Sequence, residues 1–179
     1  MTPAQIIAAL NAPRDDILQR RGDHAVDYPG SESRARDFAE GELIARPAAV
    51  LVPLVRRDEG LHVILTRRTD HLSDHAGQIS FPGGRQEDHD NTLEETALRE
   101  TEEEIGLSRT HIELVGRLDD YYTVTGYRVT PVVGLITPPF DLAPDAHEVA
   151  EVFEVPLEFI VEPQNQKLQT VTFEGAKRR

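Results

Sequence analysis

The sequence predicts an α/β domain built on a mixed sheet. Three observations carry that expectation. Short apolar runs rich in β-branched residues recur at positions 48–55, 61–67, 112–118, 129–136 and 149–155. One long segment, 93–105, repeats its apolar residues at helical spacing instead. The chain of 179 residues suits one domain with a proper core, and it carries no internal repeat or low-complexity tract.

Taken in order, Thr2-Pro3 reads as a cap and first-turn proline that open a short helix to about Leu10. Residues 13–42 are polar and weakly periodic, with Gly22 and Pro29-Gly30, and read as a loop or arm. The expected organisation is therefore an N-terminal helix and arm over 1–42 and a main domain over 43–179. The run 48–55 reads as a buried strand in which Pro53, lacking an amide hydrogen, points to an edge position or a bulge. A polar turn at 56–60 joins it to the strand 61–67 as a hairpin. A loop follows over 69–80, and Gly83-Gly84 reads as a sharp turn. Asn91 or Thr92 caps the helix 93–105, with Glu94 or Glu95 three residues on. Gly106 ends it where a positive φ is wanted. Pro138-Pro139 closes the strand 129–136, and Pro156 opens a short helix to about Val161.

Charge narrows the function. The net charge is −13, from 19 basic and 32 acidic side chains. Such a surface repels bare nucleic acid and anionic membrane. It suits a small-molecule enzyme whose anionic substrate arrives with metal. Cysteine is absent, which excludes a disulfide frame, a thiolate nucleophile and a thiolate metal site. No apolar run approaches the ~18 residues of a membrane span, and the N-terminus does not read as a signal peptide. A soluble cytoplasmic protein is the expectation.

The chemistry concentrates on the long helix. At ~100° per residue, Leu93, Ala97, Leu98, Thr101 and Ile105 share one broad side, and Glu100, Glu103 and Glu104 lie in an arc beside it. Their i, i+3, i+4 spacing makes the three carboxylates neighbours, at a cost of a few tenths of a kcal/mol per pair. Arg99 stands four residues before Glu103 and can pair with it. A hard divalent cation offsets the crowding more strongly: Mg²⁺ or Mn²⁺ takes oxygen ligands and bridges to phosphates. Without Cβ atoms, Gly83 and Gly84 let a backbone carbonyl approach a metal or a phosphate. Alone, a Glu-rich helix is more often a solvated face; the glycine pair, Arg-Glu, Glu-Glu and terminal glycine at fixed offsets weigh against that here.

This stretch resembles the Nudix box, Gly-x5-Glu-x7-Arg-Glu-U-x-Glu-Glu-x-Gly-U, with U aliphatic. Gly84 matches its first glycine, and Arg99, Glu100, Glu103, Glu104, Gly106 and Leu107 its second half. Asp90 replaces the box glutamate, Thr101 an aliphatic residue, and the interval from Gly84 to Arg99 is one residue longer. The resemblance implies an α/β/α sandwich, Mg²⁺ or Mn²⁺ as cofactor, and hydrolysis of a nucleoside diphosphate linked to another moiety. It further implies that Glu100, Glu103 and Glu104 bind metal, assisted by the Gly84 carbonyl, with Arg99 as structural partner.

Upstream, Leu65, Thr66, Arg68, Leu72, His75, Gly77, Gln78 and Phe81-Pro82-Gly83-Gly84 resemble the motif of the coenzyme A diphosphatase branch, and the stretch from Glu148 to Leu157 resembles a later segment of it. Ser73 stands where that motif commonly has Arg. The implied partner is a small-molecule diphosphate of the coenzyme A type, cleaved to 3′,5′-ADP and 4′-phosphopantetheine; a homodimer stays open. Arg67, Arg68, His75, Gln78, Gly83 and Gly84 are the candidate substrate contacts, with one arginine of the pair expected to face the pocket. Glu148 is an outside candidate for the general base. Tyr121, Tyr122 and Tyr127 read as packing residues before base-stacking ones. Members of that branch continue past the stretch matching 160–179 into a further strand and helix, so the tail is expected to be shortened or different. Another Nudix substrate (ADP-ribose, NADH or an oxidised nucleotide), an inactive nucleotide-binding module and a plain cation buffer are the rival readings.

Overall fold

A computed structural model of the chain describes residues 1–12, 21–22, 45–71, 76–123, 125–166, 171–173 and 176–178. Helix α1 spans Pro3–Leu10, with Thr2 and Gln5 forming a reciprocal capping box. The strands are β1 Arg21–Gly22, β2 Arg46–Arg57, β3 Gly60–Arg68, β4 Ile79–Ser80 and β5 Gly83–Arg85. Helix α2, Leu93–Ile105, follows. Then come β6 Ile112–Arg117, β7 Tyr121–Tyr122, β8 Tyr127–Ile136, β9 Val149–Pro156 and the short helix α3, Leu157–Val161. Strands β10 Val171–Phe173 and β11 Ala176–Arg178 pair with each other as a separate hairpin. Among the described residues, no helix is long and apolar enough to cross a membrane.

The nine-stranded sheet is organised around β2. On one edge β2 runs parallel to β8, from Arg46 opposite Tyr127 to Val55 opposite Ile136. On the other edge its first half pairs antiparallel with β5 and its second half with β3. The sheet is therefore mixed, as the sequence predicts. Strand β3 carries β9 along its far side, and β8 carries β6 and β7.

Pro53 corrects one expectation: it sits in this central strand, not at an edge or a bulge. The Leu51 amide donates to Pro82 O, toward the β5 side. With period two, position 53 faces the same way. There β5 pairing has ended at Val50 and β3 pairing begins only at Leu54. The missing amide hydrogen falls in that gap and removes no ladder bond.

Alternation along the strands sorts the core into two layers. Val52, Leu54, Leu61, Val63, Val133 and Leu135 face α1 and α3, and Ile6 of α1 is buried among them. Ala49, Leu51, Val55, Ile64, Val132 and Ile136 face the opposite way and receive Ala97 and Ile105 of α2. The result is an α/β/α sandwich. Helix α2 is fixed at both ends. The Thr92 hydroxyl accepts from the Glu95 amide, while the Glu95 carboxylate accepts from the Asn91 amide. At the other end Gly106, at φ +69°, lies so close to Ala143 that a Cβ would come within 2.8 Å of its Cβ.

Gly83-Gly84 corrects a second expectation, since the pair lies in β5 and not in a tight turn. Its glycines are needed for approach. Gly83 has φ +154°, and a Cβ there would run into Ala49 O and within 2.5 Å of Val50 Cα.

Ile105 is fully buried and ties α2 to the sheet. Ile105→Ala is expected to lose about 2–5 kcal/mol of stability. Urea titration followed by circular dichroism measures it, and an unchanged midpoint would mean that the helix is anchored elsewhere.

Candidate functional site

Strand β5 and helix α2 meet residue by residue. The Gly83 amide donates to Glu104 Oε2 at 3.1 Å. Gly84 lies against the Glu100 carboxylate, where a Cβ would come within 2.5 Å of its carboxyl carbon. The Arg85 carbonyl accepts from Arg99 Nη2 at 3.1 Å. Three consecutive strand residues thus serve three side chains of one helical face, and the first two must be glycine for the approach to be possible.

Arg99 holds this face together. Nε and Nη2 bind both oxygens of Asp90, at 2.9–3.3 Å. Nη1 reaches Glu100 Oε1 at 2.9 Å and Glu103 Oε2 at 2.8 Å. With Arg85 O, the guanidinium fork is fully used. Asp90 is equally committed, accepting also from the Thr96 hydroxyl and the Glu87 amide at 3.0 Å each. Only 3% of the Asp90 side chain is exposed. Its hydrogen bonds from Arg99 hold its carboxyl well below the usual carboxylate range. Sequence spacing found the Arg99–Glu103 pair but missed Asp90 as the principal partner, because nine residues of loop and helix separate the two.

The acids of α2 fall into two electrostatic groups. Glu94 and Glu102 lie on the outer flanks, paired with Arg117 and Arg109, whose hydrogen bonds lower both carboxyls. Glu100 and Glu104 face inward, and burial raises both. Glu104 is pushed up to about 7; the Gly83 amide opposes that shift, and the charges of Glu100 and Glu148 add to it. Glu103 differs again, 60% exposed and turned outward to Arg99. Among the described residues, no three acidic or histidine side chains gather closely enough to hold an ion between them.

The remaining candidates divide. Arg68 shares the parity of Ile64 and Thr66, faces α2, and brings Nη1 to 3.9 Å from Glu104 Oε1. Arg67 instead binds Glu151 across the β3–β9 ladder, Nε to Oε2 at 3.3 Å. Gln78 accepts the Arg68 amide on its carbonyl. His75 lies outside the described residues. Glu148 precedes β9, is exposed, and acts through its charge on both Glu100 and Glu104. Two contacts unmarked in the sequence position it: the Thr69 amide donates to Glu148 O at 3.0 Å, and the Thr69 hydroxyl to His147 O at 2.9 Å. Asp145 N and Ala143 N also bond Glu104 O and Ile105 O, docking this loop on the end of α2. Tyr127 packs beneath the Arg46 guanidinium, 4.3 Å from the ring centre.

An α/β/α sandwich whose glycine strand serves an Arg-Glu, Glu-Glu helix defines a class, and residues 45–176 match the NUDIX domain; the chain belongs to the Nudix family. It is 49% identical over 113 residues to a protein of Escherichia coli O7:K1 (strain IAI39 / ExPEC) described as "Uncharacterized Nudix hydrolase NudL". That match covers 63% of this chain and 58% of the relative's length. Among solved structures, the Nudix hydrolase RenU of M. smegmatis superposes with a TM-score of 0.56 at 23% identity, over 66% of this chain and 74% of that one. The NUDIX domain of Shewanella oneidensis NrtR complexed with ADP ribose gives 0.51 at 20% identity, over 75% and 88%. Both likenesses concern the fold.

Asp90 generates a pH dependence. Its folded pKa lies below the unfolded one, so its stabilisation is complete above about pH 4 and is lost as pH falls further. Asp90→Asn leaves Arg99 undercompensated and is expected to cost about 3–5 kcal/mol at neutral pH. Stability curves from pH 3 to 7 check both points: the variant's acid limb should be flatter than that of the unsubstituted protein, and parallel curves would contradict it.

Proposed function

We propose that the chain is a metal-dependent cytoplasmic hydrolase of a nucleoside diphosphate-linked compound, with coenzyme A or its thioesters as substrate. The observation that carries this reading is the alignment of Gly83, Gly84 and Arg85 with Glu104, Glu100 and Arg99. The substrate is supported by the segment from Leu65 to Gly84 and its resemblance to the coenzyme A branch.

The donor chemistry, though not the present spacing of the three carboxylates, fits a hard divalent cation. Their donors are all oxygen, and two of the carboxylates are buried beside bare glycine backbone. Glu100, Glu103, Glu104 and the Gly84 carbonyl would hold the ion, with Glu103 turning away from Arg99. Mg²⁺ or Mn²⁺ bound there would neutralise diphosphate charge and lower the pKa of a water.

The chain's own groups do the rest. Asp90 and Arg99 fix the orientation of Glu100. Glu148, held by Thr69, accepts the proton of the attacking water. The water oxygen joins phosphorus, the bridging P–O bond breaks, and the products are 3′,5′-ADP and 4′-phosphopantetheine or its acyl form. The place of Arg68 beside Glu104, and of Gln78 against the Arg68 amide, supports reading both as substrate contacts. The Glu151 partner of Arg67 weakens its case as a phosphate contact.

Incubation with Mn²⁺ and coenzyme A, followed by mass spectrometry, is expected to yield those two products. ADP-ribose, NADH and an oxidised nucleoside triphosphate belong in the same assay, and turnover of one of these alone would redirect the substrate. Binding of coenzyme A without turnover under every metal tried would favour an inactive nucleotide-binding module. Glu103→Gln or Glu104→Gln is expected to lose several orders of magnitude in rate with a near-native melting profile. Full activity in either would show that the carboxylates are dispensable.

A further inference from the structure

The contact between Arg68 and Glu104 is half made. Glu104 Oε2 is satisfied by the Gly83 amide, but Oε1 faces Arg68 Nη1 at 3.9 Å, past hydrogen-bond range. Among the described residues, Arg68 Nε is buried and has no acceptor. A buried donor left unmet is costly and calls for a partner. Arg67 differs, since its Nε already binds Glu151.

We propose that Arg68 is a placeholder for the cation. In the metal-free protein it supplies counter-charge to Glu104. An arriving divalent ion displaces it from Oε1, and the guanidinium then turns its free Nε edge to a phosphate oxygen of the substrate. This rests on the metal-site reading above and adds a switch to it.

The surrounding backbone confines the movement to one side chain. The Arg68 amide is bonded to Gln78 O at 2.9 Å, and the next residue, Thr69, is bonded to His147 O and Glu148 O. Strand β3 therefore stays in place while the guanidinium changes partner. A phosphate oxygen suits the planar fork better than a carboxylate held beyond hydrogen-bond reach. Without substrate, the Arg68 charge opposes the ion; with substrate, it is neutralised. Metal and diphosphate thus strengthen each other's binding, and the coupling is reciprocal.

The test is a Mn²⁺ titration read by the electron paramagnetic resonance of free Mn²⁺, with and without methylenediphosphonate, which is not hydrolysed. Arg68→Gln is expected to tighten Mn²⁺ binding roughly 3- to 10-fold without the diphosphonate. It is also expected to lose most of the further tightening that the diphosphonate gives the unsubstituted protein. Arg68→Lys, which keeps the charge but not the fork, should bind Mn²⁺ as the unsubstituted protein does and respond less to the diphosphonate. Circular dichroism melts check folding. Unsubstituted values in Arg68→Gln or, should that variant not fold, an unsubstituted diphosphonate response in Arg68→Lys, overturn the proposal. Glu104→Gln separates the two levels. Mn²⁺ affinity unaffected by Glu104→Gln brings down the metal-site reading and the placeholder together. Affinity abolished by Glu104→Gln but unmoved by Arg68→Gln removes the placeholder alone.

Discussion

The Arg99 guanidinium is the contact on which the site depends. It joins the loop before α2 through Asp90, the glycine strand through Arg85 O, and the helix through Glu100 and Glu103. A buried cation is tolerated only when charges and hydrogen bonds surround it, and here each donor has an acceptor. The same requirement orders three separate pieces of chain. Asp90 is shorter than the glutamate of the Nudix box, and the extra residue of the longer interval lies between it and Arg99, yet it reaches Arg99 with both oxygens. The two departures compensate each other in space.

Around that contact the helix sorts its acids by partner. Glu94 and Glu102 each have an arginine and serve to fasten α2 to β6 and to the turn after the helix. At Glu100 and Glu104 burial outweighs the positive charge that Arg99 and Arg68 bring to them. Carboxyls driven apart in this way on one helix mark reactive positions better than any count of glutamates.

Much of this could be read from the chain. The helix 93–105, its Gly106 terminus and five of the strands follow from periodicity and capping, which are local properties. Strands β4 and β5 could not be read that way, because two or three residues carry no period and their pairing is set by β2 and β3. Pro53 looked like an edge residue, since a sequence does not reveal a gap between two neighbouring strands. At the site, spacing placed Glu100, Glu103 and Glu104 on one side of a helix. It did not tell that Glu103 points outward while Glu104 is buried, because that depends on where β5 passes. That Arg67 and Arg68 face opposite sides of the sheet was legible as strand alternation. The clamp of Thr69 on His147 and Glu148 was not, joining residues almost eighty positions apart.

The parallel pairing of β2 with β8 also bears on the order of assembly during synthesis. Arg46–Arg57 leaves the ribosome long before Tyr127–Ile136 exists, yet this ladder is the spine of the sheet. The β2–β3 hairpin can close early, whereas the second edge of β2 must wait for about eighty more residues, the costly kind of non-local closure. Through that interval a nascent chain presents an apolar strand with one edge unpaired, the kind of surface that invites association with other chains.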